Sequence, residues 1–205
     1  MSHSCNCAFA DMGLGLGGDT LKSTAEDLLF NRALPLNSYK TSRFTLDKDS
    51  PNALVMQTSI GQGNTLVSPM HMALITSAIA NDGILMKPTM IDKIVNNSGD
   101  TVRETEKTEY KRLMTRNEAN ILGKLMKNVV ENGTASALNG RGYTVAGKTG
   151  SAEFDENGSS HSWFVGYSNV DDPDIAIAVI VENGGTGSEA AVPIAADVFD
   201  AYYFD

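Results

Sequence analysis

The sequence predicts an α+β fold in which a helical region comes first, an antiparallel sheet of at least three strands follows, and a C-terminal helix closes over it. Two observations carry this expectation. Through the first two-thirds of the chain, apolar residues recur at helical spacing: Leu21, Ala25, Leu28 and Leu29 share one face, and Ile121, Leu122, Leu125, Met126, Val129 and Val130 form a second stripe. After Gly133 the character changes to three short β-prone runs, residues 143–154, 162–167 and 175–181, separated by the turn sequences Asp155-Glu156-Asn157-Gly158 and Asp171-Asp172-Pro173.

Taken in order, helices are predicted over residues 6–16 and 19–30, with Gly13, Gly15, Gly17 and Gly18 as the joint between them. Residues 31–51 are polar and proline-marked and read as an extended surface connection. Ser68 and Pro69 supply an N-cap and a first helical residue, and the helix they open is apolar nearly all round, so it must be buried on most sides. It stops at Asn81-Asp82-Gly83, residues suited to the left-handed conformation. Thr115 and Glu118 form a capping box for the next helix, and the charged run 100–111 reads as a solvated face. The run 175–181 has no polar residue and is expected mid-sheet with both faces covered, under a closing helix over residues 193–203. The division that follows is a mainly helical part, 1–140, and a sheet part, 141–205, of one 205-residue unit without repeats or low-complexity tracts.

Sixteen Lys and Arg stand against 25 Asp and Glu, a net charge of -9 with a pI near 4.8, which disfavours nucleic acid as a partner. No run of about 18 apolar residues occurs, and residues 1–9 lack the basic-then-apolar order of a signal peptide. Cys5 and Cys7 are one residue apart, too close for an unstrained bridge and too few for a zinc site, so they read as free thiols. His3, His71 and His161 lack ligand spacing; no metal and no cofactor are expected.

The chemistry concentrates in Val145-Ala146-Gly147-Lys148-Thr149-Gly150-Ser151. On a strand, Lys148 and Gly150 face one way and Thr149 and Ser151 the other. A glycine inside a strand weakens it unless another backbone or a ligand comes close. An edge strand with that gap, a lysine and two hydroxyls can accept an extended peptide or an acyl compound. Taken alone, the triplet also fits a solvent-facing lysine beside an incidental glycine. Trp163 and Phe164 read as sheet-packing residues, and Gly184-Gly185-Thr186-Gly187, lacking a following lysine, as a turn near the site rather than a phosphate loop.

Lys148-Thr149-Gly150 does not stand alone. Ser4-Cys5-Asn6 supplies a Ser-x-Asn element; Ser59-Ile60-Gly61-Gln62-Gly63 leads into Val67-Ser68-Pro69; Val129-Val130-Glu131-Asn132-Gly133-Thr134-Ala135 and His161-Ser162-Trp163-Phe164-Val165-Gly166-Tyr167 follow in order. With these five matches the chain resembles the transpeptidase domain of class B, high-molecular-mass penicillin-binding proteins, from Ser4 to its end. The resemblance implies a partial penicillin-binding and serine β-lactamase-like fold, and peptidoglycan cross-linking by acyl transfer through a serine ester. It implies roles as well. Ser4 would relay a proton and Lys148 supply positive field; Asn6 would bind the substrate's amide side chain; Thr149 and Ser151 would hold the carboxylate of the peptide stem or the β-lactam; Gly150 would let the substrate lie against the strand; and the Ser151 N–H would be half of an oxyanion hole.

The family's first element, Ser-x-x-Lys, is absent from these 205 residues; Ser38-Tyr39-Lys40 is one residue short, and two positions do not share a helix face. Met1 lies three residues before Ser4, where the family places a nucleophile helix and two strands further upstream. The chain is therefore expected to be a cut piece or numbered from an internal start, inactive by itself, and derived from a protein anchored on the outer face of the bacterial cytoplasmic membrane. Without its upstream strands, the 175–181 edge is expected to pair with a second copy. The alternatives are a catalytically silent peptide- or β-lactam-binding module, or a relative acting as D,D-carboxypeptidase or β-lactamase.

Overall fold

The computed structural model describes residues 1–36, 39–153 and 160–204. Helix α1 (Asn6–Leu16) ends where Gly17 adopts φ 79° and returns its N–H to the Gly13 carbonyl, and α2 (Gly18–Asp27) starts at the next residue. The four-glycine joint is thus one residue, Gly17. Gly13 serves packing instead: a Cβ there would lie 1.8 Å from Ser59 Oγ, so α1 presses closely on α3 (Asn52–Ser59), a helix the sequence pattern did not reveal. Only Val55 and Thr58 of α3 are buried, too few to write a periodicity.

Helix α4 (Pro69–Ala80) starts as its sequence requires, with Ser68 Oγ accepting the His71 N–H at 3.2 Å. His71 is fully buried; its Nε2–H donates to the Leu28 carbonyl at 2.7 Å and its ring lies 4.8 Å from that of Phe30, tying α4 to the end of α2. The helix stops where Asp82 and Gly83 take φ 53° and 83° and the Gly83 N–H returns to Ala78 at 2.8 Å.

Four short strands then interrupt the stretch expected to be mainly helical: β1 (Ile84–Met86), β2 (Lys93–Val95), β3 (Thr101–Glu104) and β4 (Glu109–Arg112). Antiparallel pairing joins β1 to β4 and β2 to β3. The charged run is solvated as read, but as strands. Helix α5 (Arg116–Asn132) carries the complete Thr115–Glu118 capping box. Its buried face is Ala119, Gly123, Met126, Val129 and Val130, whereas Ile121 and Leu125 of the expected stripe are exposed.

The sheet is β5 (Val145–Glu153), β6 (Ser160–Ser168) and β7 (Ile175–Val181), antiparallel in that spatial order, with Gly150 opposite Trp163 and Phe164 opposite Val179. The turn expected at residues 155–158 and Ser38 lie outside the described residues. Helix α6 (Val192–Phe204) closes one face, burying Val192, Ala195, Ala196 and Phe199 with Val145 and Phe164; Ala146 and Tyr167 meet Met126 and Ile79 on the other. The mid-sheet placement of β7 needs correction: among the described residues it is an edge, paired only with β6, and each of its residues is half-buried. An all-apolar run reports covered faces, and both faces are indeed packed; it carries no information about the hydrogen-bonding edge.

Candidate active site

Strand β5 is held in place by a glycine pair. Gly147 and Gly166 face each other across β5 and β6, and the fully buried Phe164 ring lies over them: a Cβ at 147 would come 2.4 Å from Phe164 Cζ, and one at 166 would come 2.7 Å from it. At Gly150 the surroundings are more open, since an added Cβ would meet only Trp163 Cβ, at 3.4 Å. The backbone that approaches there is Gly187, whose own Cβ would lie 2.7 Å from the carbonyl oxygens of Gly150 and Trp163.

Lys148 Nζ donates to Ser4 Oγ at 2.5 Å and to the Thr149 carbonyl at 2.6 Å. Burial pushes the Lys148 amine below its usual pKa, because taking an ammonium from water disfavours the charged form. The amine therefore gives up its proton more readily than a surface lysine.

Ser4 reaches Lys148 because the residues before α1 are tied to the far end of α5. The Ser2 carbonyl accepts the Thr134 N–H at 3.2 Å, and the chain crosses Gly133 where a Cβ would lie 2.3 Å from that oxygen. Met1 packs against both hydrophobic clusters of the sheet, and the Ser4 N–H returns to the Met1 carbonyl at 3.1 Å. Ser4 itself has φ 49°, a left-handed backbone that side chains other than Gly, Asn and Asp rarely adopt and that recurs at functional positions.

The hydroxyls of β5 are engaged by residues the sequence reading left without a role. Thr149, 9% exposed, pairs through Oγ1 with Thr134 Oγ1 at 2.6 Å. Ser151 Oγ accepts the Gly187 N–H at 3.2 Å, and its carbonyl accepts from Gln62 Nε2 at 3.2 Å. Thr134, Gln62 and Gly187 all belong to runs marked in the sequence, but nothing local announces their contacts with β5.

Asn6 is the first residue of α1 and is exposed. It lines an open groove of about 340 Å³ with Cys7, Met56, Gln57 and Ile60, and no hydrogen bond among the described residues joins it to Lys148. The structure thus brings Ser4, Lys148, Thr149 and Ser151 together and leaves Asn6 on the flank. Cys5 and Cys7 are free and exposed. A larger cleft of about 970 Å³, between α4, α5 and the β6–β7 turn, includes none of the Ser4–Lys148 cluster in its walls, and neither does the groove beside Asn6; the candidate site is therefore β5 with the residues that touch it, rather than either cavity.

A family model for the penicillin-binding protein transpeptidase domain matches residues 1–200. The peptidoglycan D,D-transpeptidase PbpA of Mycolicibacterium smegmatis is 31% identical over 204 residues, which are 94% of this chain and 41% of that protein. Penicillin-binding protein 3 of Bacillus subtilis is 32% identical over 188 residues, 88% of this chain and 27% of that one. The chain therefore spans less than half the length of either curated relative. Among solved structures, the D,D-transpeptidase domain of a peptidoglycan glycosyltransferase from Eggerthella lenta matches with a TM-score of 0.85 at 28% identity, covering 98% of this chain and 51% of that one. An imipenem acyl-enzyme complex of penicillin-binding protein A from M. tuberculosis matches with a TM-score of 0.84 at 28% identity, covering 97% and 45%.

Proposed function

The chain belongs to the penicillin-binding protein transpeptidase family, and on that premise we propose that it is the carboxy-terminal part of a peptidoglycan D,D-transpeptidase, holding the substrate-binding and proton-relay half of the site. The contact between Lys148 Nζ and Ser4 Oγ carries the reading, since it joins two family elements 144 residues apart. Ser4 relays the proton between the attacking group, Lys148 and the leaving amine, and Asn6 binds the amide side chain of the stem peptide. Ser151 and Thr149 receive the ligand's carboxylate, Thr149 after its hydroxyl turns from Thr134.

Strand geometry supports the oxyanion role of Ser151. In an antiparallel strand the N–H and C=O of one residue point to the same side. The Ser151 carbonyl faces Gln62, away from β6, so its N–H faces the same open edge. A donor so placed contributes about 2.7–4 kcal/mol to stabilising the tetrahedral intermediate. Gly150, without a side chain, leaves room for an acyl group beside it.

The nucleophile comes from outside these residues, because the sequence contains no Ser-x-x-Lys. The isolated chain therefore binds stem peptide and β-lactam reversibly and turns over neither. Its place of action is the outer face of the bacterial cytoplasmic membrane, where stem peptides are cross-linked; none of the helices among the described residues is long and apolar enough to cross a membrane. Labelled penicillin followed by denaturing electrophoresis tests the reading. The chain alone should carry no label, and a form joined to a segment bearing Ser-x-x-Lys should be labelled at that serine. Covalent label on the chain alone would overturn the first statement. Reversible binding by the joined form would favour the second reading, a catalytically silent binding module, which the missing Ser-x-x-Lys keeps in view.

A further inference from the structure

Gln62 occupies the edge of β5 that an extended ligand needs. Its backbone is fixed by the end of α3: the Gly61 N–H returns to Thr58 at 3.0 Å and the Gln62 N–H to Gln57 at 2.9 Å, the paired bonds of a Schellman motif. Gly61 and Gly63, with φ 81° and 77°, bracket the residue and turn it out of the helix. Because α3 is in turn pressed against α1 at Gly13 and Ser59, the half-buried side chain of Gln62 leaves a rigid base and ends on the Ser151 carbonyl at 3.2 Å.

At this edge the outward carbonyls belong to alternate residues, Thr149 and Ser151. Thr149 already accepts from its neighbour Lys148, which leaves the Ser151 carbonyl as the acceptor for an incoming strand. An extended peptide joins an edge strand through main-chain hydrogen bonds. The carboxamide N–H of Gln62 is chemically the same donor as a peptide N–H. It sits where that peptide's amide would sit.

Accepting β5 as the substrate edge, we propose that Gln62 is a specificity-determining residue: its carboxamide stands in for the acyl-amide N–H of the ligand at the Ser151 carbonyl. A ligand with an acylamino group at that point displaces Gln62, and a ligand with no group there is admitted with Gln62 in place. The exchange taxes the first class by the worth of one neutral hydrogen bond and leaves the second untouched.

The test uses the 205-residue chain in solution, an N-acylated D,D-dipeptide, and its analogue with a hydrogen in place of the acylamino group, followed by amide NMR. The dipeptide should shift the backbone resonances of Lys148 to Ser151 and move the Gln62 side-chain NH2 signal. The analogue should shift the backbone resonances alone. Gln62→Ala should tighten binding of the dipeptide by roughly 2- to 10-fold and leave the analogue unchanged; Gln62→Asn, too short to reach Ser151, should behave the same way, and both variants must keep the dispersed spectrum of the parent. If both ligands bind through β5 but the Gln62 signal stays still, or the variants change both affinities equally, the role of Gln62 is overturned and the family reading stands. If neither ligand moves β5, the substrate-edge reading falls, and the role of Gln62 falls with it.

Discussion

Replacing Gly147 with alanine should destabilise the fold more than a single methyl group suggests. The new Cβ would lie 2.4 Å from Phe164 Cζ, 2.6 Å from its Cε2 and 2.9 Å from the Val165 carbonyl oxygen, where carbon atoms pack at about 3.5–4.0 Å. The ring must retreat by more than about 1 Å, yet it is fully buried, and its tip also crowds Gly166. The Val165 oxygen belongs to β6 directly opposite Lys148, so it cannot yield without opening the ladder. Overpacking of this kind costs about 1–3 kcal/mol. The alanine's smaller unfolded-state entropy returns about 0.4–1 kcal/mol at most. The net, centred on about 1.3 kcal/mol, corresponds to a fall in Tm of roughly 3–5 °C for a chain of this size. Urea unfolding of Gly147→Ala, Phe164→Leu and the double variant is the assay. Because the leucine lacks the ring tip, the two changes should be non-additive by at least about 0.5 kcal/mol, with the double variant more stable than the sum predicts. Additive losses, or a Gly147→Ala variant within about 0.5 kcal/mol of the parent, would refute the packing argument.

Three further outcomes follow from named contacts. Thr134→Val keeps the shape but leaves the Thr149 hydroxyl without the partner at 2.6 Å in a position 9% exposed; urea unfolding should show a loss of about 1–3 kcal/mol, and Thr134→Ser should recover most of it. Burial holds the His71 pKa below its usual value, against a smaller upward pull from the Leu28 carbonyl. The unfolded chain, with a histidine pKa of about 6.5, takes up the proton first. The contribution is therefore complete above that value and is lost as pH falls below it toward the lower folded pKa; thermal melts of the parent from pH 7.5 to 5 should show this fall, and His71→Gln should flatten it. The β7 edge, apolar and paired on one side only among the described residues, should drive self-association of the chain. Sedimentation velocity that finds a monomer at every concentration would remove that expectation.

Elements whose ends are written in local chemistry were legible from the sequence. Ser68 with Pro69, and Thr115 with Glu118, each fix a helix start through side chains three residues apart or fewer, and both starts fall where that chemistry puts them. Helix α3 and strands β1 to β4 were not, because each buries too little to leave a pattern; β2 and β3, though paired locally, are exposed along their whole length. The site divides in the same way. Lys148 and Ser4 were marked through the family resemblance of their short motifs, but the atoms that fix β5 against its surroundings come from Thr134, Gln62 and Gly187, 15, 89 and 36 residues from their β5 partners.

Those three residues share one feature that spacing rules do not score. Each lies at or beside a glycine at the end of an element: Gly133 after α5, Gly61 and Gly63 after α3, and Gly187 itself at the irregular turn before α6. At Gly133 and Gly187 an added Cβ would strike backbone, at 2.3 Å and 2.7 Å, so the close approach itself requires glycine. At Gly61 the requirement is φ 81°, which turns Gln62 off the helix axis. Glycine acts in this site as the residue that brings a polar group onto β5, and that group holds the strand. A substitution at Gly133 should consequently disturb Ser4 and Thr149 together, because the Ser2 carbonyl that a Cβ would strike also accepts the Thr134 N–H, and Thr134 holds Thr149. Gly133→Ala should shift the amide resonances of both residues, whereas Gly140→Ala, where a Cβ meets nothing within 4 Å, should cost only the strain of its φ of 75° and leave both resonances in place.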